Sequence, residues 1–343
     1  MKSIFRMTIF VLVCLISISC SKKSEESQTD RIQSKVIKFG IGENEDHFLY
    51  QSAVAFKETV EKGTNGSLTV ELYPAGLLGN DRETLEAIQL GQVQMNAPSP
   101  AVLANFCREF SILSFPFLFP TQEIADQVTT GPVGQELLKR LENVKFIGLS
   151  IPDFGFRHVT NSRRPINSVD DLRGLKIRTM ENRIHLDCFR AMGANPTAMG
   201  WSEVFTGLQQ GTIDGQENPF ATMWAYNLYE VQRYMSKTAH VYDWTVFVIG
   251  KDFWDTLTSN EQAAIRQGAE IARKYCADAV AQEDLDAEKN IIASGKSLIN
   301  EVALEIRDQM SALCDPIKER YAIESDAALY KQLVDEVNRL RNM

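Results

Sequence analysis

The residues best placed to do chemistry lie between Phe154 and Pro219: FGFRHVTNSRRPINSVDDLRGLKIRTMEN, then GANPTAMGWSEVFTGLQQGTIDGQENP. Leu175-Lys176-Ile177-Arg178 alternates apolar and polar, as a strand with one buried face does. Read from that strand alone, Arg178 is either a solvated strand-end cation or an anion ligand. The second role has a physical basis, because a guanidinium presents two parallel N–H donors in a fixed fork that matches a carboxylate. Ligands in open α/β sheets usually sit at strand ends. That rule nominates Glu45 and His47, in the loop after a first strand, and Ser99, between Pro98 and Pro100, for hydroxyl contacts. Helix capping for Asp46 and an ordinary surface position for His47 are the plainer alternatives.

Other chemistries find little support. His47, His158, His185 and His240 make no H-E-x-x-H or other close ligand spacing, so a catalytic metal is not expected. Asp214 and Glu217 stand near each other but lack the D-x-D-x-D-G spacing of a calcium loop. The chain has no G-x-S-x-G elbow and no Walker loop, and Gly40-Ile41-Gly42 lacks the third glycine of a dinucleotide site. An enzyme is the weaker reading, and no cofactor is expected.

The elements that must position these residues follow an α/β alternation. Strands are expected over Val36–Gly42, Leu68–Tyr73 and Val93–Ala97, with a helix over 46–62 and another opened by Asn80 or Asp81 and stopped at Gly91. This order suggests a largely parallel sheet. Phe110 to Pro120 (FSILSFPFLFP) is apolar and broken by proline, and reads as a packed connector rather than a helix. Further strands are expected near 145–149, 156–160, 174–178, 195–199 and from 212, with helices near 183–192 and 202–210. Thr258 to Glu261 forms a capping box that opens a helix running past residue 290. Helix resumes from about 302 to 341.

The chain has 343 residues, 44% hydrophobic and 24% charged, which excludes a disordered or fibrous protein and suggests two domains. Its net charge is −9 and its isoelectric point about 5.2. Such an acidic chain lacks the positive field that nucleic-acid binding requires. An anionic ligand must therefore be held by a few local cations. Lys2 and Arg6 precede an uncharged apolar run, Thr8–Ser19, too short to span a bilayer but suited to a signal peptide. Cys20 follows Ser19 and resembles an acylated lipoprotein cysteine, with Ser17 where that pattern usually carries Leu; cleavage near Ser19 without acylation is the alternative. The polar stretch 20–35 reads as a tether. Loss of 1–19 would take the net charge to about −11, since Lys2 and Arg6 leave with it. Of the remaining cysteines, Cys107, Cys188, Cys276 and Cys314 are far apart and form no C-x-x-C. Disulfides are possible outside the cytoplasm, and buried free thiols are preferred.

Over most of its length the sequence resembles the substrate-binding proteins of tripartite ATP-independent periplasmic (TRAP) transporters, the DctP-like family. The resemblance rests on the region above together with YPAGLLGNDRETLEAIQLG at 73–91, FPFLFP at 115–120 and EVQRYMSKTAH at 230–240, in the expected order. It implies an α/β, two-domain, periplasmic-binding-protein-like clamshell with long C-terminal helices. The first domain would hold 36–154 and 243–283, and the second 155–242 and 284–343. It further implies that Arg178, in the G-L-K-x-R motif, pairs with a ligand carboxylate. Arg157 of the G-x-R motif and Asn218 of DGQENP would help hold that group, and Trp201 would cover the ligand. The partners so implied are a small organic acid and a permease with large and small membrane subunits, driven by an ion gradient. IRTMEN and GANPTAMGWSEVF look closest to branches that take sugar acids such as hexuronates. A C4-dicarboxylate would need a second cation, for which Arg82 and Arg108 are the candidates. A keto-acid binder, a sensing lipoprotein without a permease, and an extracytoplasmic enzyme on acidic sugars are the rival readings.

Overall fold

A computed structural model describes residues 34–343. The expected signal peptide, most of the tether and Cys20 lie outside the described residues. The first sheet begins with β1 (Lys35–Gly40), whose alternation buries Ile37 and Phe39, and β2 (Leu68–Tyr73), which buries Leu68 and Val70. Helix α1 (Phe48–Gly63) joins them and packs Phe48, Leu49, Phe56 and Val60 inward. Helix α2 (Asp81–Gln89) starts at a capping box in which the Glu83 carboxylate accepts the Asn80 N–H at 2.8 Å. It leads to β3 (Met95–Asn96), the short α3 (Pro100–Leu103), α4 (Gln122–Thr130), α5 (Pro132–Arg140) and β4 (Phe146–Ser150).

The segment expected to be a non-helical connector begins as a 3₁₀ helix over Arg108–Ser114. Pro116 ends it, because the residue before a proline is driven out of the helical region, and Phe115 is extended. Phe110, Ile112, Leu113, Phe115 and Phe119 are all buried.

The second sheet contains β5 (Asp153–Asn161), β6 (Lys176–Thr179), β7 (Asn195–Ala198), β8 (Gly215–Asn218) and β9 (Tyr234–Trp244). Between them lie α6 (Arg183–Ala191), α7 (Trp201–Gln209) and α8 (Phe220–Ala225). The chain then returns to the first sheet through β10 (Phe247–Gly250), followed by α9 (Lys251–Trp254). Helix α10 (Ser259–Ser294), 36 residues and about 54 Å long, packs on α1 and β4 in one lobe and on β5 and α8 in the other. Strand β11 (Leu298–Glu301) joins the second sheet, α11 (Leu304–Ser325) packs on α6, and α12 (Ala327–Arg341) packs on α4 and α5. Among the described residues no helix is long and apolar enough to cross a membrane.

The strand orders are β2-β1-β3-β10-β4 and β11-β9-β5-β8-β6-β7, giving a two-lobed α/β clamshell. Only part of each sheet is parallel. Strands β1, β2 and β3 run parallel, whereas β10 is antiparallel to both its neighbours, and β5 is antiparallel to β8 and β9. The exceptions are the strands through which the chain passes between lobes, so they enter from the opposite end. At that passage the Thr245 N–H donates to Pro152 O at 2.9 Å and the Val246 N–H to Pro98 O at 2.8 Å. The four cysteines 107, 188, 276 and 314 are buried free thiols.

Strand β8 begins at Gly215, three residues later than its sequence pattern suggests, and there glycine is required by space. A Cβ at Gly215 would lie 2.0 Å from the Thr160 carbonyl oxygen on β5. Gly215→Ala is expected to force β8 from β5 and lower stability by at least about 2 kcal/mol. Urea unfolding reads this directly, and an unshifted midpoint would contradict so close an approach.

Candidate functional site

A cavity of about 360 Å³ lies between the two sheets. Strands β5, β6, β8 and β9 bring Arg157, Arg178, Asn218 and Asp243 to it, and the N-terminus of α7 brings Trp201. The opposite wall is built by Glu43 after β1, Asp81 at the start of α2, and Ser99 before α3.

Arg157 is 1% exposed and is held on three sides. Its Nε donates to Glu217 Oε2 at 2.5 Å, Nη1 to Asp243 Oδ2 at 2.8 Å, and Nη2 to both the Glu217 carbonyl and Oε1. A guanidinium has five N–H donors, so one, on Nη1, stays open toward the cavity. Burial alone would lower the Arg157 pKa, but the Glu217 and Asp243 carboxylates outweigh it and push it up. Burial likewise works to raise Glu217, yet Arg157 and a bond with His240 at 3.2 Å hold it far below the usual carboxylate range. The bend that aims Arg157 is a bulge in β5 against β9, starting at Gly155, whose φ of +112° suits glycine.

Arg178 is the contrasting case. It is 3% exposed, its Nε donates to the Met199 carbonyl at 2.9 Å, and its guanidinium lies 5.6 Å from the Trp201 ring centre. Among the described residues it forms no ion pair, and Nη1 and Nη2 meet no protein acceptor. Burial pushes its pKa down to about 10, with Glu217 acting against the shift and Arg157 adding to it. A buried, uncompensated cation whose Nε is pinned leaves two parallel N–H donors whose geometry matches a carboxylate.

Asn218 donates one amide N–H to Gln216 Oε1 at 2.6 Å and keeps the other. Gln216 in turn donates to Thr160, and Thr160 to Gln232, so the side chains beside Asn218 are locked. Trp201 packs edge-on against Tyr226, 4.9 Å between centres, and among the described residues its buried indole N–H has no acceptor. Ser99 lies on the cavity, but its hydroxyl caps α3 and donates to Asp243 at 3.2 Å.

Glu45 and His47 are not on the cavity. Glu45 is exposed. His47 is buried as the cap of α1: Nδ1 accepts the Leu49 N–H at 3.1 Å, and Nε2 meets the Thr222 hydroxyl at 3.2 Å. Its ring stacks on Phe48 and Phe154, and burial pushes its pKa down to about 3. The buried acids at the cavity are instead Glu43, Asp81 and Asp243, with Glu83, Glu86, Glu181 and Glu203 nearer its rim. Glu43 lies two residues before Glu45 in the same strand-end loop, so the strand-end rule pointed to the right loop and the wrong side chain. Of the candidate second cations, Arg108 is off this cavity. Arg82 reaches its rim, paired with Glu86 at 3.2 Å and Glu181 at 3.4 Å.

The family model for bacterial extracellular solute-binding proteins, family 7 (DctP), matches residues 39–325. A solute-binding protein of Verminephrobacter eiseniae is 39% identical over 72% of this chain and 74% of its own. The C4-dicarboxylate-binding periplasmic protein DctP of Rhodobacter capsulatus is 32% identical over 86% and 90%. The crystal structure of the sugar acid binding protein of Advenella mimigardefordensis in complex with galactonate superposes with a TM-score of 0.86. It is 32% identical, covering 89% of this chain and 98% of that one.

Burial raises Asp81 to about 6, Asp153 and Asp284 to about 7, and Glu43 to about 8. Unfolded, these carboxyls titrate near 4. The folded chain therefore keeps protons that the unfolded chain has lost, and their contribution, full below about pH 4, disappears as pH rises through 6 to 8. Thermal unfolding of the ligand-free protein should show stability falling by several kcal/mol from about pH 6.5 to 9. A rise across that window would contradict the burial of these acids.

Proposed function

The chain belongs to the family 7 bacterial extracellular solute-binding proteins, and from that premise we propose that its cavity captures an organic acid through Arg178. The observation that carries this reading is the open guanidinium fork, buried and unpaired beside Asn218 and Trp201. Two charge-assisted bonds at about 1.5–3 kcal/mol each make a large part of the about 8 kcal/mol that a micromolar ligand needs. Arg157 adds its one open N–H, Asn218 its free amide hydrogen, and the Trp201 ring and N–H cover the ligand body.

The acid is a sugar acid, an aldonate or hexuronate, rather than a C4-dicarboxylate. Facing Arg178 are Glu43, Asp81 and the rim pair Arg82–Glu181, with no unpaired cation for a second carboxylate among the described residues lining the cavity. The galactonate complex of the Advenella protein supports this, and the C4-dicarboxylate-binding Rhodobacter relative keeps the second reading in play. The protein releases its ligand unchanged to a TRAP permease with large and small membrane subunits. It works in the periplasm or cell envelope, held to the membrane by acylated Cys20. Its lobes, 36–154 with 243–283 and 155–242 with most of 284–343, close by a hinge at residues 151–152 and 245–246, the terminal α12 staying packed on α4 and α5 of the first lobe. Asn80, Asn105 and Asn182 then bridge them through bonds to Ser202 N, Glu181 O and Ala101 O.

A thermal-shift screen against aldonates, uronates, dicarboxylates, keto acids and neutral sugars tests the reading. Ligand at a hundredfold excess over its Kd should stabilise the protein by about 2.7 kcal/mol. Arg178→Ala should abolish that shift. Arg178→Met should do so too while making the empty protein more stable by about 1–3 kcal/mol, because an uncompensated buried charge is gone. An undiminished shift in Arg178→Ala would sink the carboxylate assignment, and preferred binding of neutral sugars would sink the ligand class.

A further inference from the structure

The cavity holds more acid than a carboxylate ligand explains. Asp243 is occupied: Oδ2 takes Arg157, and Oδ1 takes the Ser99 hydroxyl and the Trp244 N–H. Asp81 is half occupied. Its Oδ2 accepts the Ser99 N–H at 3.1 Å, while Oδ1 turns toward the loop after β1, 3.9 Å from where a Cβ on Gly42 would stand. Glu43, the next residue of that loop, is 8% exposed, and among the described residues its Oε2 has no partner. Glu43, an orphaned buried carboxyl beside Asp81 and across a cavity from an open arginine fork, has no hydrogen-bonding task among the described residues.

We infer that Glu43 and Asp81 act as one acid pair that determines specificity by accepting a ligand hydroxyl and refusing a second carboxylate. The inference rests on the reading that Arg178 takes the ligand's carboxylate. A hydroxyl suits the pair in both directions, since it accepts from the protonated acid and donates to the ionised one. A second carboxylate can only accept, and it would face the Asp81 charge in a site from which water is largely excluded; like charges so placed do not both remain ionised. It therefore enters only with an additional proton.

The groups around the pair agree. Glu43 is faced by Asp81 from α2, Arg157 from β5, Arg178 from β6 and the Tyr226 hydroxyl beyond α8. Asp81 is faced by Ser99, Asp243, Asn96 and Arg178. Burial is the largest influence on both and raises both, Glu43 to about 8 and Asp81 to about 6. Near pH 7 the proton thus sits on Glu43. The arginines do not drive it off, because Arg157 is matched by Glu217 and Asp243, and Arg178 is matched by the ligand.

Selectivity then depends on pH. Calorimetric titration with galactonate, a polyhydroxy monocarboxylate, and with succinate, in buffers of different ionisation enthalpy, counts the protons taken up. Galactonate should weaken by about fivefold between pH 8 and pH 9, as Glu43 loses its proton. Succinate should take up more protons than galactonate at about pH 7, and its disadvantage should shrink severalfold toward about pH 5.5. Glu43→Gln should reduce the alkaline loss to under about threefold, because the amide keeps a donor that does not titrate. Asp81→Asn should bring the two affinities closer at about pH 7, with urea midpoints confirming that both variants are folded. An affinity ratio constant across pH, or an undiminished alkaline loss in Glu43→Gln, would overturn the inference while leaving the Arg178 reading standing. If neither acid binds and Arg178→Ala shifts with other ligands as wild type does, the carboxylate reading has failed and this inference falls with it.

Discussion

The structure turns on the buried clamp between Arg157, Glu217 and Asp243. These residues come from β5, β8 and β9, so one guanidinium joins three strands of the second sheet at the point where β9 leaves for the first. Removing either acid would leave a buried charge unmatched, and that kind of loss is far larger than the net value of the pair. The clamp therefore fixes the register in which β8 presents Asn218 and the height at which β9 delivers Asp243 to Ser99. It also settles the electrostatics next door. Because Glu217 and Asp243 are already matched to Arg157, neither is free to neutralise Arg178.

An unmatched Arg178 is costly to an empty protein, and the surrounding parts explain how it persists. Its Nε is anchored on a carbonyl, its face lies against Trp201, and Asp81 and Glu217 act on it from a distance. Arg178 is almost wholly buried, which strengthens any charge-assisted bond an incoming acid makes. Burial likewise raises Glu43 and Asp81. One constraint, a buried cleft with one open cation, thus underlies both the proposed anion site and the raised carboxyls opposite.

Much of this was legible in the residues. The strand alternation at Leu175–Arg178, the Asn80–Glu83 and Thr258–Glu261 boxes and the long helix after Thr258 depend on short-range spacing, and each folds as that spacing implies. His47 shows where such reading stops. A histidine at a strand end is compatible with a ligand contact or a cap, and only the stacking of Phe48 and Phe154, the latter more than a hundred residues away, decides for the cap. Glu43, Asp81 and Asp243 were passed over for the same reason, since nothing in their neighbours along the chain shows that they converge.

By itself the sequence determined the α/β alternation, the family motifs and the two arginines, Arg157 and Arg178, that could meet an anion. Those follow from hydrophobic period, capping chemistry and residue type, which act over a few positions. Only the tertiary structure decided which arginine is neutralised and which is free. Arg157 meets partners 60 and 86 positions away, through antiparallel pairings that local propensity does not encode. A charge's role in a fold depends on what the chain brings within about 4 Å of it and on how much water is left there.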